Sequence, residues 1–230
     1  MGMILKCIWL LLSSGIVLAV HGADGGSCSD HDGSTGSCMS SALVKVCTRR
    51  SEVFVDFENA GKVHPASSGN TNFTGRWGLA SQDNFDAFAA AQGVPWVLRK
   101  LAVLDRPQSD IVHTLSTSSV PGDRDAETFR HRLFEARRTQ ESEWVLTGKA
   151  DPTSLSSVAR MFNPLFEAVD VQLQWAGPQC PGILVETYIN AVNRAHDVTM
   201  YRWLRNHDTM VLTMVATNGA TAERTFRLMT

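Results

Sequence analysis

Arg224 alternates with Phe226 and Leu228 in the short run Glu223-Arg224-Thr225-Phe226-Arg227-Leu228. Alternate side chains of an extended strand share one face, so the two apolar residues turn inward and take Arg224 with them. A guanidinium does not shed its proton, and burying it without a partner is costly. An inward arginine in an apolar enclosure therefore predicts an anionic guest, an internal acid or trapped water. Arg202 stands in phase with Met200 and Leu204 in the same way, which leaves Tyr201 and Trp203 on the outer face.

Other reactive constellations are thin. The chain has no G-x-S-x-G, no H-E-x-x-H and no phosphate loop, so no catalytic residue is assigned and the protein reads as a non-enzyme. His64, His113, His131, His196 and His207 are scattered singly and read as surface residues. Cys28-x-x-His31, followed by Cys38 and Cys47, has the residue types of a zinc site without an established ligand spacing, so no metal and no cofactor are assigned. Asn72-Phe73-Thr74 is an N-glycosylation sequon.

Residues 1–22 read as a secretory signal: Lys6 supplies the positive start, Cys7 to Val20 is an uncharged apolar run, and Val20-His21-Gly22 precedes a cut. The run is shorter than the ~20 residues a membrane span needs, which disfavours the rival reading as a signal anchor. Lys6 stands where myristoylation requires Ser or Thr. The expected location is therefore outside the cell or in the secretory lumen. In that compartment Cys28, Cys38, Cys47 and Cys180 are disulfide candidates. Four cysteines allow three full pairings, and Cys28 with Cys38 belongs to one of them.

The elements that position these residues follow from composition and period. The 230 residues are 43% hydrophobic and 19% charged, with a formal net charge of -2. That suits one domain with appendages and gives no concentrated basic face for nucleic acid. Residues 23–71 read as a linker or arm, Gly/Ser-rich at first, with two short strands at 43–46 and 53–57. Residues 72–230 read as a β domain. Its first strand spans 73–80, followed at once by two helices over about 82–105, with Ser81 as the cap of the first, Gly93 as its stop and Pro95 opening the second. Strands are expected at 111–118, 129–137, 144–148, 169–175, 183–190, 198–204, 209–216 and 224–229. An insert at 149–166 carries a short helix over 152–162, on which Leu155, Val158, Ala159 and Phe162 share a face. One strand, two helices and then many strands suit a barrel with a helical plug over one mouth.

The run Asn72-Phe73-Thr74-Gly75-Arg76-Trp77 resembles the N-F-x-G-x-W opening of the intracellular lipid-binding proteins, the fatty-acid-binding and cellular retinoic-acid-binding family of the calycins. Residues 81–88 (SQDNFDAF) and 91–103 (AQGVPWVLRKLAV) are similar to the family's lid segments, and Tyr201-Arg202-Trp203-Leu204, residues 210–214 and 223–226 to its last three strands. The similarity is good over residues 72–106 and 196–230 and weak between. It implies a secreted, divergent member: a mainly β, ten-stranded antiparallel up-and-down barrel around a ligand cavity, with a helix-turn-helix lid.

The resemblance also implies a site. Arg202 and Arg224 match the two arginines that meet the ligand's carboxylate, and Phe226 stands where the family's R-x-Y triplet has Tyr, removing a hydroxyl. The implied guest is a long-chain fatty acid or a retinoid, with its hydrocarbon on Phe85, Phe88, Val97, Leu98, Leu101, Leu115, Met200, Leu212 and Phe226, and Trp77 sealing the closed end. Arg99 and Lys100 on the second lid helix would touch a membrane surface transiently, and the protein is expected to be a monomer that binds no nucleic acid. Two other readings remain open at this stage: a secreted interaction protein with a filled barrel, and a lipocalin-like binder of another ligand such as haem.

Overall fold

The computed structural model describes residues 41–59, 71–114, 127–135, 138–146, 159–162, 167–177 and 180–230. The expected signal segment, Cys28, Cys38 and Leu115 lie outside these residues, as do residues 149–158 of the insert.

Ten antiparallel strands form one sheet: β1 (Gly75–Asp83), β2 (Gln108–Thr114), β3 (Glu127–Glu135), β4 (Arg138–Leu146), β5 (Ala159–Phe162), β6 (Ala168–Trp175), β7 (Leu184–Asn190), β8 (Val198–Asn206), β9 (Thr209–Ala216) and β10 (Thr221–Leu228). Their order is β4-β3-β2-β1-β10-β9-β8-β7-β6-β5. First and last strands pair, through Trp77 with Leu228 and Gln82 with Arg224. The sheet thus curls into a nearly closed up-and-down barrel whose two ends, β4 and β5, lie side by side without a ladder. Trp144 on β4 stitches this gap by donating its indole N–H to the Val171 carbonyl on β6, 3.0 Å away.

Alternation sorts each strand. Trp77, Ile111, Phe129, Trp144, Leu173 and Met210 point inward and are buried at the closed end and in the wall. Cross-strand ion pairs line the outside, such as Arg130 with Glu143 and Arg132 with Glu141. Each inward large side chain contributes ~1.5–3 kcal/mol by leaving water.

Two helices, α2 (Phe85–Ala91) and α3 (Trp96–Leu104), sit between β1 and β2. The sequence reading capped the first helix with Ser81. In fact β1 runs on to Asp83, because Ser81, Gln82 and Asp83 stay laddered to β10. The chain then turns at Asn84, whose left-handed φ of 57° its short polar side chain tolerates. Asn84 donates to the Thr221 carbonyl at 2.7 Å, and Asn218 to that of Ala91 at 2.9 Å, tying the lid to the β9–β10 hairpin. Gly93 (φ 74°) makes the turn between the two helices, in a backbone region that suits glycine.

The helix α1 (Ser41–Asn59) replaces the two strands expected in the arm. Leu43, Val46 and Cys47 fall at helical spacing and pack against Ile183, Val185, Tyr201, Trp203 and Val211 on the outer face of β7, β8 and β9. Tertiary packing has overridden the β propensity of the valines. Cys47 is bridged to Cys180, with their Cα atoms 5.7 Å apart, and Arg49 pairs with Glu223 on β10. The expected helix over 152–162 is also corrected at its end: residues 159–162 form β5, with Ala159 opposite Val171 and Met161 opposite Val169. Met161 lay off the helical stripe, yet it is buried at 3% exposure.

Candidate functional site

Under the lid the barrel holds a cavity of about 190 Å³. The barrel is not filled by its own side chains. Phe85, Phe88, Ala89, Gln92 and Val94 of the lid roof it, and Val169, Val198, Met200, Leu212, Met214 and Phe226 form most of the apolar wall.

Both arginines singled out in the sequence open into this cavity, but they are in different states. Arg202 on β8 is 2% exposed. Its Nε donates to Glu186 Oε1 at 2.5 Å and its Nη1 to the Met210 sulfur at 3.4 Å. The other oxygen of Glu186 accepts from the Tyr188 hydroxyl at 3.1 Å. Burial pushes the Glu186 carboxyl up, but Arg202, with help from His131 and Tyr188, more than offsets this and holds it below the usual carboxylate range. Burial and the charge on Glu186 in turn push the Tyr188 phenol well above its ordinary value. Arg202 is thus neutralised by an internal acid.

Among the described residues no acid hydrogen-bonds to Arg224 on β10. Its Nε is buried without a hydrogen-bond partner, and its guanidinium carbon lies 4.0 Å from the centre of the Phe85 ring. Burial lowers its pKa to about 10, with Glu135 and Asp105 favouring the charged form, so it stays protonated at neutral pH. A desolvated cation over an aromatic face gains ~2 kcal/mol, which offsets only part of what burial costs. The planar shape of this charged fork is complementary to that of a carboxylate.

A second polar group faces Arg202. Ser109 on β2 and His131 on β3 both line the cavity, and Ser109 Oγ lies 2.5 Å from His131 Nε2. Burial first, and Arg202 second, lower the His131 pKa to about 3. Deeper, toward the closed end, His113 Nε2 meets Glu127 at 2.5 Å and the Trp175 indole donates to the other Glu127 oxygen. His113 and His131 were read as surface residues. Both are buried, and His196 lines the cavity beside Glu167. In-phase neighbours would have shown the first two, since His131 alternates with Phe129 and Leu133, and His113 with Ile111. Glu186 and Tyr188, also missed, alternate with Leu184.

Among the remaining sequence candidates, Phe85, Phe88, Met200, Leu212 and Phe226 line the cavity. Val97, Leu98 and Leu101 do not. Val97 and Leu101 are 54% and 42% exposed, while the smaller Ala102 and Val103 turn inward. A nine-residue helix with apolar residues on both sides gave the wrong phase. Arg99 and Lys100 both reach Asp86 on α2, at 3.5 and 3.4 Å. The Asn72 side chain is exposed and accepts from the Thr74 amide. Among the described residues no cluster of metal-ligating side chains occurs.

No protein-family profile matches the chain. It is 27% identical over 155 residues to fatty acid-binding protein homolog 3 of Caenorhabditis elegans, covering 67% of this chain and 81% of that protein. It is 31% identical over 88 residues to retinol-binding protein 1 of Bos taurus, covering 38% and 63%. Among solved structures, fatty-acid-binding protein 1 of Echinococcus granulosus superposes with a TM-score of 0.50 at 15% identity, over 69% of this chain and 98% of that one. A Schistosoma mansoni fatty acid binding protein in complex with arachidonic acid gives 0.51 at 17%, over 72% and 99%. The ten-stranded, nearly closed antiparallel barrel with helices between its first two strands is thus the fold of these fatty-acid-binding proteins, which are also among its sequence relatives.

Proposed function

We propose that this protein binds a small hydrophobic acid, a long-chain fatty acid or a retinoid, inside the barrel and transports it. The observation that carries this reading is Arg224, a partly buried cation whose Nε is buried without a hydrogen-bond partner, in a cavity whose wall is mainly apolar. A carboxylate satisfies its fork, while the hydrocarbon lies on Met200, Leu212, Met214 and Phe226. The relatives named as fatty-acid-binding and retinol-binding proteins support the ligand class. Because Glu186 already neutralises Arg202, the head group goes to Arg224. Phe226 adds no hydroxyl to share it, a loss of ~1.5–3 kcal/mol in head-group binding relative to a tyrosine.

Transfer to and from membranes would use α3, which shows solvent Trp96, Val97, Leu101 and Leu104 around Lys100. Both Arg99 and Lys100 reach Asp86, but Arg99 is mostly covered whereas Lys100 is half exposed, so Lys100 is the charge presented to anionic lipid, worth at most ~1 kcal/mol. Lys100→Glu is expected to slow transfer to anionic vesicles without changing affinity; an unchanged rate argues against this route. The Cys47–Cys180 bridge supports an oxidising, secretory compartment, and a mature N-terminus that retains residues 1–22 would argue against it.

Displacement of a fluorescent fatty acid tests the main reading. Wild type is expected to prefer a fatty acid to the matching fatty alcohol by tenfold or more, and Arg224→Ala to lose that preference. Equal binding of acid and alcohol by wild type would reject the head-group assignment.

A further inference from the structure

Resting on that reading, we propose that the cavity has a second recognition point, Ser109 and His131, for a neutral hydroxyl near the middle of the ligand chain, so that the preferred guest is a mid-chain hydroxy fatty acid. Ser109 and His131 are 2% and 4% exposed, and both line the cavity. Their hydrogen bond uses His131 Nε2 and leaves the imidazole Nδ1 with no partner among the described residues. A plain alkyl chain passing this point would leave that nitrogen unpaired, which is costly in an apolar enclosure.

The chemistry selects the partner. With its pKa near 3, His131 is a neutral ring, with one nitrogen donating and the other accepting. If the serine hydroxyl donates to Nε2, then Nδ1–H remains as a donor; in the other tautomer Nδ1 remains as an acceptor. A hydroxyl meets either case, because it both donates and accepts. A second carboxylate is disfavoured: the nearest cation, Arg202, is already neutralised by Glu186, and no net positive charge is left there.

The register gives the position along the chain. Arg224 is opposite Leu212, and Leu212 is opposite Arg202, so the two arginines are two strand spacings apart, roughly 10 Å. His131 lines the same cavity as Arg202 and feels its charge. A chain anchored by its carboxylate at Arg224 therefore reaches His131 at its middle carbons, well beyond the α-carbon.

Calorimetric titration with stearate, a mid-chain hydroxystearate and α-hydroxystearate tests this in the full-length protein. Wild type is expected to bind the mid-chain hydroxy acid three- to tenfold more tightly than stearate, with no such gain for the α-hydroxy acid. Ser109→Ala, which removes one oxygen and keeps the ring in place, should reduce the gain to within twofold, and His131→Phe should abolish it, each gain being read as the ratio to the same variant's own stearate affinity. Stearate bound as tightly as, or more tightly than, the mid-chain hydroxy acid by wild type would overturn the proposal while leaving the carboxylate reading intact. A gain that survives in Ser109→Ala would also overturn it. Failure of wild type to bind any of the three acids would reject both readings.

Discussion

Arg202 and Arg224 lie two strands apart in the same cavity, both turned inward by the same alternation, yet among the described residues only Arg202 has an acid hydrogen-bonded to it. Around Arg202 the protein has built its own counter-ion: Glu186 and the Met210 sulfur accept from it, and the Tyr188 hydroxyl donates to the other Glu186 oxygen. Around Arg224 there is an aromatic ring and an unpartnered Nε. The first region carries the cost of a buried charge within the folded chain. The second leaves it to be offset by something from outside. On the proposed reading, a buried charge serves structure when its partner is covalently present and recognition when it is not.

The comparison is broken most severely by removing half of the internal pair. Arg202→Met leaves Glu186 buried without its cation and is expected to cost ~3–5 kcal/mol of unfolding free energy, read from urea denaturation. The double variant Arg202→Met with Glu186→Leu should recover most of that loss. Little loss in the single variant would show that the Arg202 region, too, is available to a ligand.

Acid sharpens the comparison next, because the groups beside Arg202 titrate in the folded protein with shifted values. His131 is held near 3 against an ordinary 6.5, so between those values the unfolded chain binds a proton that the folded one does not. Its contribution is complete above about pH 6.5 and is lost as pH falls toward 3. Glu186, also lowered, adds a loss that begins only below its ordinary value near 4.5. Between pH 6 and pH 4 wild type should therefore lose up to ~1.4 kcal/mol per pH unit that His131→Phe does not lose. Identical pH profiles would contradict the placement of a neutral imidazole there.

The smallest effect has the opposite sign. Arg224→Leu removes an unpartnered charge, so the ligand-free protein should be unchanged or more stable by ~1–2 kcal/mol, after allowing for the lost contact with Phe85. A thermal melt without ligand measures this, and a clear destabilisation would mean that Arg224, like Arg202, is structural.

Much of this was legible in the sequence, for physical reasons that differ by region. Arg224 was readable because it alternates with Phe226, which is buried, and Arg227, which is exposed, takes the other phase, although Leu228, read as inward, is 36% exposed. Glu186 was not, because it follows Ile183-Leu184-Val185, a run apolar on both faces. That run has no polar side because α1 buries its outer face as well, which erased the alternation that would have placed Glu186 in the cavity. The same helix explains why Tyr201 and Trp203 point out of the barrel and are still buried. Its own residues looked like strands, since Val44, Val46, Val53 and Val55 fit a β pattern, and what fixes the helix is its docking on β7–β9 and a bridge 133 residues away. The lid was located correctly but its second helix was phased wrongly, because Val97 and Leu101 outweigh Ala102 in hydrophobicity and nothing local says which side meets the barrel.

A crystal structure of the protein with a bound long-chain fatty acid tests the division between the two arginines most directly. The account predicts a carboxylate paired to the Arg224 guanidinium, with the Arg202–Glu186 contact undisturbed. A carboxylate seated on Arg202 with Glu186 pushed aside, or one left in solvent with Arg224 still unpaired, would contradict it.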